Sequence, residues 1–504
     1  MSITGPGSVT AANLAAQTNM FTQLNQLSLQ LGTGEASQTY AGLGSQAGVA
    51  LSLGSQLAAL NGYSTTATTV GTTLTLAQSV LTQLGDAGTS VEQSVNQEAT
   101  FTLNNNGQTA TQQSAASYLD QILSLLNTQA GDNYMFSGAA VNTPSVASSS
   151  TILNGNGAQA GLTQVISERL QADQGANGLG RLVIPAASGS TVSVSEDAAG
   201  SPFGFKLASV SSSLTGATVT GPTGSPASIS VALGSNPNAG DSITFNLTLP
   251  DGSSQAITLQ ATTASPPGAN QFTIGANATA TASNLQTALS GAVSTLAQTA
   301  LPAASAIAAA NNFFSSDPPQ RVNGPPFDTA TSLVNGTSAN TVFWYTGENS
   351  ATPALQTATA QVGPDITVAY GMRANEPAIS TLVANVAALA ATTYSASDPN
   401  AAASYQALSQ TVTANLDGQP GTQKVTDIEA NLANVQTAIA NAGTLNTQTQ
   451  STLQNMLQGI EGVDQNTIGE QILTLQNNLS ASMSVTARLA QISLVNYLSA
   501  PTTS

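Results

Sequence analysis

Residues 468–479 read Ile-Gly-Glu-Gln-Ile-Leu-Thr-Leu-Gln-Asn-Asn-Leu, with Ile468, Ile472, Leu475 and Leu479 at steps of four, three and four. Alternating steps of three and four put apolar side chains on one narrow stripe of an α-helix, and such a stripe is buried only against another helix. The spacing continues downstream at Leu489, Ile492 and Val495, ending on Tyr497-Leu498. Upstream it runs through Ile428, Leu432, Val435 and Ile439, then Leu453, Met456, Ile460 and Val463. The offset between Val463 and Ile468 reads as a stutter in one long helix.

The opposite end of the chain carries the same signature. Phe21, Leu24, Leu27 and Leu31 share one stripe of a helix over Ala11 to Leu31, which Gly32-Thr33-Gly34 interrupts as a C-terminal cap would. A Gly/Ser-rich loop is expected from Tyr40 to Gly48. A second helix runs from Ala50 to Asn96 with a weak point at Gly71. Its stripe is Leu74, Ala77, Leu81, Leu84, Gly88, Val91 and Val95. After the turn cluster at residues 104–107, Ala115, Leu119, Ile122 and Leu126 mark a third helix that stops by Gly131. The candidate assembly seam is therefore Leu24, Leu27, Leu31, Leu81, Leu84, Leu119, Ile122, Leu126, Ile472, Leu475, Leu479, Leu489, Ile492, Tyr497 and Leu498. Its partners are the other end of the same chain and the ends of neighbouring copies.

Between the ends the period changes from helical to two. Leu182–Ile184, Thr191–Ser195 and Ser228–Leu233 are β-branched runs. Ile243, Phe245, Leu247 and Leu249 alternate with polar residues up to Pro250-Asp251-Gly252, and Ala256–Leu259 returns, which predicts a hairpin. Phe272–Ile274, Val342–Tyr345 and Ile366–Tyr370 are further expected strands. A helix is expected over Ala282–Phe314, broken at Pro302, and others over Pro377–Ala391 and from Asp398-Pro399 to Leu416. The fold class is thus α+β: long terminal helices packed as a coiled-coil-like bundle, with a β-rich domain inserted. The expected division is 1–145 helical, 146–375 β-rich, and 376–504 helical.

Composition narrows the chemistry. The 504 residues carry 7 Lys+Arg against 24 Asp+Glu, a net charge of −17, with 41% hydrophobic residues. So few cations disfavour nucleic acid and anionic membrane surfaces as partners. Histidine and cysteine are both absent. That removes the Ser–His–Asp triad, thiolate metal sites and the commonest zinc ligand. Lys206 and Lys424 lie in no S-x-x-K frame. Glu196-Asp197 reads as solvated loop acids, and Glu461 with Asp464 as a helix surface. The glycines at 155, 157 and 161 are too widely spaced for a dinucleotide fingerprint and read as a strand-to-helix turn. Phe343, Trp344 and Tyr345 read as core rather than as a sugar platform. No catalytic, cofactor-binding or metal-ligating residue is assigned. The first basic residue is Arg169 and no apolar run reaches the roughly 18 residues of a membrane span, so the chain is expected, without membrane insertion, either to be cytoplasmic or to leave the cell by a route that uses no cleaved Sec signal.

Three motifs then fall in order. Leu27-Ser-Leu-Gln-Leu-Gly-Thr-Gly34, Gly131-Asp-Asn-Tyr-Met-Phe-Ser-Gly138, and the C-terminal Ile460–Asp464, Leu473–Leu479 and Thr486–Leu498 stretches resemble the bacterial flagellin family over about the first 140 and last 85 residues. Tyr134–Gly138 and Ser493–Leu498 resemble the hook–filament junction (hook-associated protein) branch; the length and the central insertion resemble filament flagellin. The Arg and Asp residues usual after that family's first helix are missing here, replaced by Glu35–Ser45. The resemblance implies a non-enzymatic flagellar subunit serving swimming motility. It implies unfolded export through the type III apparatus with a chaperone, an extracellular location, and partnership with itself, hook-associated proteins and flagellin. The alternative reading is an adhesin, with the β-rich middle binding a surface glycan and the helical ends displaying it.

Overall fold

The computed structural model describes residues 6–98, 100–418 and 421–498, and side chains within 11–491 of these. Eleven α-helices occur among the described residues: α1 (Pro6–Thr33), α2 (Ala47–Gln97), α3 (Ala110–Leu126), α4 (Ser149–Asn154), α5 (Leu162–Gln174), α6 (Ala278–Gln298), α7 (Ala300–Phe314), α8 (Pro377–Ala391), α9 (Ala401–Leu416), α10 (Val425–Glu461) and α11 (Gln465–Leu498). The fold is α+β, as the two periods predict. The chain divides into two compact units: unit 1 holds Met1–Val70, Ala360–Val368 and Thr437–Ser504, and unit 2 holds Gly71–Thr359 and Ala369–Gln436.

The described part of unit 1 is helical apart from a short strand pairing within its 360–368 segment. In it α1 packs against α11. Leu53, Leu60 and Leu453, with Leu57, Tyr63, Leu457 and Ile460 around them, form a small core between α2 and α10. The expected stutter is a true break. The α10 helix ends at Glu461, and Asp464 opens α11, its Oδ1 accepting from Asn466 N at 2.9 Å. The break is fixed by pairing. Glu35 bridges Gly462, Ala36 N donates to Glu461 O at 2.6 Å, and Val463 N donates to Gly34 O at 3.0 Å. Gly34 takes the left-handed conformation, φ 75°, that closes α1. The expected loop at Tyr40–Gly48 is mostly a 3₁₀ segment, Tyr40–Gln46.

Unit 2 has two cores. In the helical one, α8 is buried at thirteen of its fifteen residues and is contacted by α3, α7 and α9. Such a helix, apolar all round, is the signature of a core position. Along the predicted α2 stripe Leu74, Ala77, Leu81 and Leu84 have no exposure, Gly88 and Val91 are buried, and Val95 at its end is half-buried. The helix continues through Gly71 without a break. A Cβ on Gly88 would come within 2.9 Å of Leu382 Cδ1, so the glycine allows α2 and α8 to approach closely.

The second core lies among two four-stranded sheets and α6. One sheet is ordered Gln271–Thr273, Ser254–Thr262, Ser242–Thr248, Lys206–Ser212; the other Leu182–Val183, Thr191–Glu196, Ser228–Leu233, Ala217–Thr223. The predicted hairpin forms with Ile243 opposite Leu259 and Phe245 opposite Ile257, and Ile243, Phe245, Leu247 and Leu249 all point into this core. Leu285, Leu289 and Val293 of α6 close it.

Three local expectations are corrected. The helix break lies at Thr299, before Pro302, which sits in the first turn of α7 where its missing N–H has no helical role. Val342–Tyr345 is no strand: only isolated bridges at Thr341 and Tyr345 form, because Trp344 turns inward to donate its indole N–H to Phe314 O at 2.9 Å. Residues 149–154 are helix, not strand, so Gly155 and Gly161 join two helices. A Cβ on Gly155 would lie 2.3 Å from Gln159 O, so this glycine serves a close backbone approach.

Candidate assembly surface

The α1 and α11 helices carry the surface of interest. Along α1 the half-buried positions are Asn13, Gln17, Met20, Leu24, Leu27 and Gln30. Along α11 the half-buried side chains are Ile472, Leu475, Ser482, Thr486 and Leu489, with Ile468 and Leu479 buried. Both sets follow steps of three and four, and Gln17 Nε2 donates to Thr486 Oγ1 at 2.8 Å and to Ser482 Oγ at 3.4 Å, so these are the facing stripes of an antiparallel pair.

The structure places the predicted seam residues in three groups. Leu24, Leu27, Ile472, Leu475, Leu479 and Leu489 lie on the facing stripes. Leu81, Leu84, Leu119, Ile122 and Leu126 have no exposure and are covered by unit 2 itself. Leu31 is 37% exposed, because the chain turns away at this level and Gln30 reaches in to donate to Ala36 O at 2.7 Å. The side chains of Ile492, Tyr497 and Leu498 fall outside the described residues.

A second apolar set was missed in the sequence. Phe21 was grouped with Leu24, but it lies beside the facing stripe, 43% exposed, one heptad from the exposed Leu14. Leu29 on α1 and Leu473, Met483 and Val485 on α11 are exposed as well, as are Tyr40, Val49, Leu51, Leu445 and Met456. Twelve of the fifteen exposed large apolar side chains among the described residues thus belong to unit 1. The signal that would have separated the two sets is the run Asn13, Gln17, Met20, Leu24, Leu27, which holds its steps of three and four through polar residues.

Charge is arranged in the opposite way. Arg169, Arg181, Lys206, Arg321 and Arg373, all in unit 2, are ion-paired to Asp173, Asp197, Glu196, Glu168 and Glu348 respectively. Arg169 and Asp173, 2.8 Å apart, are both nearly inaccessible, and Asp173 also accepts from Gly204 N at 2.9 Å. Glu196 and Asp197 are therefore structural partners of Lys206 and Arg181, where solvated acids were expected. Glu461 and Asp464 bracket the break between α10 and α11 instead of lying on one helix. Burial holds the Glu376 carboxyl above the ordinary range, although it accepts from Arg373 N and Gln423. Burial also raises the Tyr394 hydroxyl.

Among the described residues no group of acidic side chains could hold a metal ion. No single described helix is long and apolar enough to cross a membrane. The bent pair of α6 and α7 is apolar enough by composition, and its apolar residues fill the cores of unit 2.

No protein-family model matches this chain, and no curated protein sequence does. Among solved structures, the crystal structure of Xanthomonas campestris FlgL is similar at 13% identity over 80% of this chain and 98% of that one, with a TM-score of 0.31. A likeness of that size does not define a shared fold and carries no argument about this one.

Proposed function

We propose that this chain is a non-enzymatic structural subunit of the bacterial flagellum, of the flagellin family, that polymerises through its terminal helices. The observation that carries the reading is the concentration of exposed large apolar side chains on unit 1, beyond the stripe that α1 and α11 use on each other. A partner that removes such side chains from water gains about 1.5–3 kcal/mol for each one fully buried. Neighbouring copies are the partners that fit. The α1 helix has no charged side chain and α11 has only Glu470 and Arg488, so copies pack side by side with little charge repulsion. Two of the three flagellin-like motifs, Leu27–Gly34 and the C-terminal stretches, lie in unit 1; Gly131–Gly138 lies in unit 2. On this reading residues 146–375 face solvent as the variable domain. The chain leaves the cell through the flagellar export apparatus with a chaperone and meets hook-associated proteins and flagellin outside.

The test is a Leu14→Asp/Phe21→Asp double variant expressed in cells lacking the native copy. Both positions are exposed, so the purified monomer keeps its helicity, while co-sedimentation with flagella and swimming are lost. Flagella of normal length containing this variant would overturn the reading. Immunogold labelling then distinguishes a filament subunit, labelled along its length, from a junction subunit, labelled only at the hook boundary.

A further inference from the structure

The facing stripes of α1 and α11 change chemistry at one level. Toward the break they are apolar: Met20, Leu24 and Leu27 on α1, and Ile468, Ile472, Leu475 and Leu479 on α11. Toward the chain ends Gln17 on α1 meets Ser482 and Thr486 on α11, all three half-buried and joined by hydrogen bonds of 3.4 and 2.8 Å. Helix pairs ordinarily choose partner and register by charges flanking the stripe or by a polar residue within it. Flanking charge is not available here, because α1 carries none and α11 carries two charged residues in its whole length. The apolar positions do not discriminate either: a leucine facing a leucine is equally content in a pair of two α1 helices, a pair of two α11 helices, or a pair slipped by seven residues.

We propose that the Gln17–Ser482–Thr486 layer is the partner-selecting element of this helix pair. The primary amide has two donors and an acceptor, and in the observed pairing it meets two hydroxyls. In the slipped arrangement, or in an α11 homopair, the layer would place Gln17, Ser482 or Thr486 against leucine or isoleucine and leave polar groups desolvated without partners. The layer contributes little stability and acts by penalising the alternatives. The bridge at Glu35–Gly462 holds the pair at its near end; the Gln17 layer selects the partner toward the far end.

The absence of cysteine permits a clean test on the full chain. Cysteines placed at the exposed Asn19 and Ser484 carry nitroxide labels for distance measurement by pulsed electron resonance. The parent gives one narrow distribution. In the Gln17→Leu variant the melting midpoint is unchanged or raised, while the distribution splits. The added components come from pairs slipped along the helix axis by about 10 Å, the rise of seven helical residues, or arise between molecules and vanish on dilution with unlabelled protein. Exchanging the groups across the pair, Gln17→Thr with Thr486→Gln, restores the single distribution. A Gln17→Leu variant that keeps the parent distribution would overturn the proposal. So would one that loses stability without splitting, since that is the behaviour of an ordinary stabilising hydrogen bond. If Gln17→Leu does not fold, the exchange variant decides: a split distribution there refutes the layer's role.

Discussion

The α8 and α1 helices are built from the same kind of residue and meet opposite fates. Both are rich in alanine, small polar residues and leucine or valine, and neither contains a charged side chain. Thirteen of the fifteen residues of α8 are buried, whereas no described side chain of α1 is. Low charge therefore has two meanings in one chain. In unit 2 it marks a helix surrounded by its own domain. In unit 1 it marks a helix covered along one stripe only, with apolar side chains left exposed. The difference is not in composition but in how much of the chain is available to cover each helix.

The largest effect expected from this contrast is on stability. Leu119→Ala, at a fully buried site, should cost about 2–5 kcal/mol, whereas Phe21→Ala should stay within about 0.5 kcal/mol in the monomer. Denaturant unfolding of both variants checks it; equal losses would mean that α1 is as well covered as the core of unit 2.

Next in size is a polar anchor of α8. Gln112 is fully buried and its Nε2 donates to Leu389 O at 3.0 Å and Thr392 O at 2.7 Å, satisfying the end of that helix. Gln112→Leu leaves those carbonyls without a partner and should lower stability by about 1–3 kcal/mol. An unchanged unfolding midpoint would show that water or another donor replaces the amide.

Local stability should follow the same division. Chymotrypsin has exposed apolar sites in α1 and α11, and partial openings cost least where little is buried. The first cuts should fall at Leu14, Phe21 or Met483, mapped by mass spectrometry, before any in α8. Early cleavage within unit 2 would reverse the ranking.

The smallest effect concerns pH. Burial raises the Glu376 carboxyl in the folded state. Its contribution to stability is complete below the unfolded carboxyl's pKa and is lost as pH rises through the folded value. Glu376→Gln should therefore gain on the parent at neutral pH and lose that advantage on acidification. Thermal melts across the acid range that show a constant difference would place the cost elsewhere.

Period was legible without a structure. The alternation of Ile243 to Leu249 predicted a hairpin, and the Leu74–Val91 stripe predicted its buried face, because each depends only on which residues share one side of an element. Several things were decided only by tertiary structure. The offset after Val463 became a break because Gly34, Glu35 and Ala36 lie across from it and pair with its backbone, a contact between residues more than 400 positions apart. Trp344 left its expected strand because Phe314 O offered its indole a partner. Whether a stripe closes within the chain or remains for another copy was also undetermined by spacing alone. Leu84 and Leu24 sit in equally regular stripes, yet the fold of unit 2 leaves the one with no exposure while the other, on α1, is only half-covered. Periodicity is a property of a segment; coverage depends on how many other segments the fold brings to it.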